Sequence, residues 1–133
     1  MERSRTILYI EDDAEDRELM QHTAKQVGES VNFVYAENGL KALEYLTVAK
    51  NNLRLPCLIV LDLNMPVLDG KETFYKIKNE PMLETIPIVI FTSSSNPGDR
   101  SLFESLGVGF ITKPYNLSDM SNIVRGMIDL CNK

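Results

Sequence analysis

The chain has 133 residues, enough for one domain with a real core and too few for two ordinary ones. With 44% hydrophobic and 25% charged residues it is composed like a folded globular protein, which excludes a disordered one. A formal net charge of -5 works against nonspecific attachment to nucleic acid or to anionic membrane, because the phosphate-neutralising cations are missing.

No apolar run exceeds strand length, and the lead Met1-Glu2-Arg3-Ser4-Arg5 is polar. Neither a membrane span nor a signal peptide is expected, which places the chain in the cytoplasm. Cys57, in an apolar run, and Cys131, near the C-terminus, show no metal-site spacing and no disulfide framework, and both read as reduced thiols.

Thr6-Ile7-Leu8-Tyr9-Ile10 is a β-branched and aromatic run, hence a first strand, and it ends in Glu11-Asp12-Asp13. A helix follows from Ala14, with Asp13 as its N-cap, Leu19, Met20, Thr23 and Val27 on one stripe, and Gly28 as its stop. Asn32 to Ala36 reads as a second strand. After Glu37-Asn38-Gly39, the residues Leu40, Leu43 and Leu46 mark a second helix toward Lys50, and Asn51 to Pro56 form a polar loop.

Cys57-Leu58-Ile59-Val60-Leu61 is an uninterrupted apolar run that leads straight into Asp62, the pattern of a strand buried on both faces with a carboxylate at its carboxyl end. Beyond Pro66 and Asp69-Gly70 a third helix carries Phe74 and Ile77 inward and must stop before Pro81. Ile86 to Phe91 is the fourth strand, followed by the hydroxyl-rich turn Thr92-Ser93-Ser94-Ser95-Asn96. Pro97 suits the first position of a fourth helix, with Leu102, Phe103 and Leu106 as its stripe and Gly107 as its end. Gly109 to Thr112 is a brief fifth strand before Lys113-Pro114, and Ser118 caps a last helix containing Ile123, Val124, Met127 and Ile128.

Alternating strands and helices require a parallel sheet covered on both faces with right-handed crossovers. The expected architecture is α/β, a flavodoxin-like (βα)5 doubly wound sandwich whose five-stranded sheet runs in the order 2-1-3-4-5. In that order strands one, three, four and five are contiguous. Glu11, Asp12, Asp62, Thr92 and Lys113 then all stand at the carboxyl ends where such sheets bind ligands.

Three carboxylates brought together repel unless a cation sits among them. An all-oxygen set suits Mg²⁺, with Mn²⁺ as the alternative, and such a metal beside Asp62, with Lys113 opposite, would offset charge on a transferring phosphoryl group. Asp62 is then a candidate nucleophile and Thr92 a hydroxyl donor to phosphoryl oxygens. Each residue also has a plainer reading: Asp62 as a turn cap, the adjacent acids as a solvated helix start, Thr92 as an N-cap and Lys113 as a surface lysine. The joint placement at successive strand ends favours the functional reading.

The set Ile10-Glu11-Asp12-Asp13, Leu61-Asp62-Leu63-Asn64-Met65-Pro66 with Gly70, Phe91-Thr92-Ser93 and Lys113-Pro114 resembles the receiver domain of two-component response regulators over essentially the whole chain. The resemblance implies phosphorylation of Asp62 by the phosphohistidine of a sensor histidine kinase or a histidine phosphotransfer protein. It implies Mg²⁺ held by Asp12, Asp62 and the main-chain carbonyl of Asn64, with Glu11 acting through water. It also implies a switch pair of Thr92 and Phe110, where the family more often has Tyr. The second helix and the Asn51 to Pro56 loop are similar to single-domain regulators that partner phytochrome-type kinases.

The last helix runs close to Lys133, so the expectation is a single receiver domain over residues 1–133 with no separate output domain. Output is then by binding to a downstream protein, by relay, or as a homodimer through the face of helix four, strand five and helix five, without direct contact to nucleic acid or membrane. Phe103, Phe110 and Tyr115 are expected near that face, with Phe103 better explained as core packing. His22 reads as a surface residue. The expected role is a phosphoacceptor signalling domain rather than an enzyme. A receiver-shaped binding module that takes no phosphate, or a haloacid-dehalogenase-like phosphatase, is the alternative. The latter wants a second Asp where Asn64 stands.

Overall fold

The computed structural model describes residues 4–28, 31–94 and 96–132. Met1, Glu2 and Arg3 of the polar lead and Ser95 of the hydroxyl-rich turn lie outside them. The elements alternate as β1 Thr6–Ile10, α1 Ala14–Val27, β2 Asn32–Ala36, α2 Gly39–Asn51, β3 Leu58–Leu61, α3 Gly70–Lys78, β4 Ile88–Thr92, α4 Pro97–Ser105, β5 Gly109–Thr112 and α5 Leu117–Cys131. The five strands pair in parallel in the order β2-β1-β3-β4-β5, as the alternation requires.

Every residue of β3 and β4 is buried because both faces of the sheet are covered. Leu8, Ile10, Ile59, Leu61, Ile88 and Ile90 point to one face and pack with Ala42, Leu46, Phe74, Ile77 and Phe103 of α2, α3 and α4. Their neighbours Ile7, Tyr9, Leu58, Val60, Val89 and Phe91 point to the other face, against Met20 of α1 and Met120, Val124, Met127 and Ile128 of α5. Strand alternation thus makes two cores, and it is why the apolar runs are unbroken in sequence.

Helix ends follow their side chains. Asp13 caps α1 by accepting from the amide of Glu15 at 2.9 Å, and Gly28 closes the same helix at φ 73. Asn38, Asp69 and Asn96 cap the next three helices in the same manner. The last helix corrects an expectation: its cap is Asn116, which accepts from the amide of Asp119 at 2.9 Å, and Ser118 instead donates to Asn116. Asn and Ser both cap, and the helix took the earlier one because Leu117 already has helical geometry.

Other expectations shift in detail. Leu40 and Leu106 are 51% and 48% exposed, and Ala42 and Ala49 take the inward positions of α2 with Leu46. The fourth strand begins at Ile88, since Leu83–Thr85 form a 3-10 turn that carries Leu83 and Ile86 into the core before it.

The cysteine reading is overturned. Cys57 and Cys131 form a disulfide, with Cα atoms 5.0 Å apart and a sequence separation of 74. The end of α5 packs on the face of the sheet to which Cys57 belongs, and a separation that long gives no sequence sign of proximity.

Candidate functional site

Four strand ends build one cleft. Glu11 follows β1, and its amide donates to Ala36 of β2 at 2.9 Å. Asp62 follows β3, and its amide donates to Ile10 at 3.1 Å, so the ladder delivers both acids side by side. Thr92 ends β4 and pairs in register with Thr112 at the end of β5, and the amide of Lys113 donates to the Thr92 carbonyl at 2.9 Å. The loop after Asp62 is fixed by Gly70. A Cβ there would collide with the carbonyl oxygen of Asp62 and the Cα of Leu63, so the start of α3 lies directly against the backbone of Asp62.

Carboxylate oxygens of Glu11, Asp12 and Asp62 all lie within 4.8 Å of one another. Glu11 is 1% and Asp62 4% exposed, while Asp12 faces solvent. The Lys113 ammonium donates to Glu11 in a very short contact and to Asp16 Oδ2 at 2.7 Å, and stands 3.7 Å from Asp62 Oδ2. Glu11 also accepts from the Tyr9 hydroxyl at 3.1 Å and from the Asp13 amide at 3.3 Å. Asp62 Oδ1 is buried with no hydrogen-bond partner among the described residues.

The electrostatics follow from this crowding. Burial pushes the Glu11 carboxyl up to about 7, against the lowering effect of its hydrogen bond from Lys113, and the nearby Asp62 raises it further. Lys113 is pulled down by burial, but its hydrogen bonds to Asp16 and Glu11 outweigh this and hold it above the ordinary lysine value. Tyr9 is held protonated by burial and by the adjacent Glu11.

More carboxylates than cations meet here, and an orphaned buried oxygen on Asp62 points to a group that supplies positive charge. The all-oxygen donor set fits a divalent cation of the hard type.

The sequence-derived set is therefore largely gathered. Glu11, Asp12 and Asp62 cluster together, and Lys113 reaches Glu11 and stands near Asp62. Thr92 is fully buried at its strand end and accepts from the Ser94 amide at 3.2 Å, while Asn96 caps α4, so the N-cap reading of Thr92 does not hold. Asn64 is exposed in the loop two residues past Asp62.

Phe110 pairs in register with Ile90, faces the α4 side and packs 6.3 Å from the ring of the fully buried Phe103. The Arg100 guanidinium lies 4.8 Å over Phe110 and donates to Thr112 Oγ1 at 3.0 Å. Tyr115 is fully exposed, and His22 is exposed as expected.

Two participants escaped the sequence reading: Asp16, in the first turn of α1, and Tyr9, which it placed in the first strand without a role at the site. Asp16 stands three residues after the N-cap Asp13, where acids are common, so nothing in its local sequence set it apart.

Comparison with known proteins bears on the chain as a whole. The chain is 35% identical over 126 residues to the response regulator Rcp1 of Synechocystis, covering 92% of this chain and 86% of that protein. A solved structure of a phosphorylated cyanobacterial phytochrome response regulator, RcpA, superposes with a TM-score of 0.83 at 33% identity, covering 98% of this chain and 95% of that one. The Mn²⁺-bound form of Rcp1 superposes with a TM-score of 0.78 at 35% identity, covering 91% and 89%. Residues 7–125 match the model of the response regulator receiver domain, and the chain belongs to that family.

Proposed function

We propose that Asp62 is the phosphoacceptor of a phosphorelay and that the domain, taken as residues 1–133, signals by changing what it binds. The observation that carries this reading is the environment of Asp62. Asp62 is 4% exposed, one of its carboxylate oxygens has no partner among the described residues, and two further acids and a lysine surround it.

Mg²⁺ is the cation we assign to Glu11, Asp12, Asp62 and the Asn64 carbonyl, with Mn²⁺ as a substitute. That the Rcp1 relative has a Mn²⁺-bound form supports the choice of a divalent ion. When bound, such an ion offsets negative charge on a transferring phosphoryl group.

The chain's own residues then do the following. An Asp62 carboxylate oxygen attacks the phosphorus of a phosphohistidine on a partner kinase or histidine phosphotransfer protein. The new O–P bond forms as the P–N bond breaks, and the electron pair leaves with the imidazole, which takes a proton from solvent. The Lys113 ammonium offsets charge on the phosphoryl oxygens, and the Thr92 hydroxyl donates to one of them after releasing the Ser94 amide.

Phe110 is the aromatic partner of that movement, between Phe103 and Arg100. To swing two packings of α4, β5 and α5 from 1:99 to 99:1 the modification must favour one by about 5.5 kcal/mol. A downstream protein or a second copy of the chain reads the altered face, which carries the fully exposed Tyr115. The role is that of a phosphoacceptor, with self-phosphorylation from small donors and self-dephosphorylation as its only chemistry.

The test is incubation with Mg²⁺ and acetyl phosphate, followed by intact mass. One phosphoryl group on the wild type and none on Asp62→Asn is expected. Equal labelling of the two would move the acceptor elsewhere.

A further inference from the structure

We infer that Asp16 is a positioning residue that competes with the phosphoryl group for Lys113. The inference rests on the assignment of Asp62 as phosphoacceptor and deepens it.

An ammonium has three N–H donors. In Lys113 one is taken by Glu11 and one by Asp16 Oδ2 at 2.7 Å. The third does not reach Asp62, whose Oδ2 at 3.7 Å lies beyond hydrogen-bond range, so serving a group on Asp62 requires the ammonium to shift from its present seat between the two acids. The cation that should serve the reacting carboxylate is thus anchored on two other acids.

Those two acids differ in how easily they let go. Glu11 is buried and held as well by Tyr9 and the Asp13 amide, so losing Lys113 would leave an uncompensated charge in the interior. The Asp16 side chain is 33% exposed, and water can take the place of the ammonium there. A phosphoryl anion on Asp62 therefore recruits Lys113 at the expense of Asp16. Asp16 also adds like charge next to that anion, which acts in the same direction. Asp16 stands outside the trio of acids whose oxygens share one 4.8 Å cluster, so its effect runs through Lys113 and not through a metal.

The test uses beryllium fluoride with Mn²⁺, at a metal concentration saturating for each variant in a prior titration, on the full chain as wild type, Asp16→Asn, Asp16→Glu and Asp62→Asn. Lys113 is followed through its ε-methylene signals in ¹³C-lysine-labelled protein. Asp16→Asn is expected to bind beryllium fluoride about fivefold more tightly, the worth of one partly exposed charged hydrogen bond. In the metal-free protein it is expected to shift the Lys113 signals, and Asp16→Glu is expected to restore both.

Wild-type and Asp16→Asn affinities within about twofold of each other, weaker binding by Asp16→Asn, or no rescue by Asp16→Glu would overturn the role of Asp16 alone. Binding by Asp62→Asn as tight as wild type would instead overturn the phosphoacceptor assignment, and the inference with it.

Discussion

The buried carboxyl of Glu11 makes folding stability depend on pH in a calculable way. It is 1% exposed, and burial outweighs the Lys113 hydrogen bond, so its pKa is pushed up from 4.5 to about 7. A group whose folded pKa is raised contributes stability that is fully present below the unfolded pKa and is lost as pH climbs through the folded one. For Glu11 that window runs from 4.5 to about 7. Lys113 is also raised, but both its folded and unfolded values lie above this window, so it stays charged throughout.

The loss across the window is about 3 kcal/mol, a large part of the stability of a domain this size. Urea unfolding in EDTA from about pH 4 to about pH 8 measures it, with Glu11→Gln as the reference that cannot ionise. Wild type is expected to lose about 3 kcal/mol relative to Glu11→Gln between the extremes, and saturating Mn²⁺ is expected to flatten the difference because a bound cation offsets the ionised carboxylate. Parallel pH profiles for the two proteins without metal would refute the argument that burial dominates at Glu11.

Gly70→Ala forces a Cβ into the Asp62 carbonyl and the Leu63 Cα, and a backbone collision should cost about 2 kcal/mol and weaken Mn²⁺ binding together; thermal unfolding and a metal titration check both. Reducing the Cys57–Cys131 disulfide releases a cross-link spanning 74 residues, for which loop-closure entropy gives a loss of about 4 kcal/mol. Urea midpoints with and without a phosphine reductant measure it, and identical midpoints would mean the bond contributes nothing in solution.

How much of this was legible from sequence depends on what each residue answers to. The strands were, because two-sided burial demands unbroken apolar runs, and a polar residue that ends such a run is conspicuous: Glu11, Asp62 and Thr92 announce themselves in this way, while Lys113 follows Thr112 of an exposed edge strand and stands out only by its place at a strand end. The parallel pairing followed from connection rules, while the order 2-1-3-4-5 came from likeness to a known doubly wound arrangement. Helix faces were less legible. Leu40 and Leu106 have the chemistry of core residues, but small alanines occupy the closest approach of α2 to the sheet and leave Leu40 half outside. Asp16 and the Cys57–Cys131 pair were hidden for another reason: each owes its role to a partner 97 or 74 residues away, and only the folded crossovers bring them together.

The site also fixes where the molecule can yield. Asp62 is delivered by a strand that is buried at every residue and braced on both sides, and Gly70 locks the loop behind it, so displacement there would disturb both cores. β5 is different: it is a sheet edge, Gly109 and Thr112 are exposed, and Phe110 and Ile111 are only partly covered. Its end is joined to β4 through the bond from the Lys113 amide to the Thr92 carbonyl, and its aromatic is covered by Arg100, an exposed residue of α4. Local opening concentrates where few buried contacts must be broken. On the proposed function, a charge change at Asp62 that pulls on Lys113 would therefore meet least resistance along β5 and the α4 side chains leaning on it, and burial would set the direction of that response before any partner is bound.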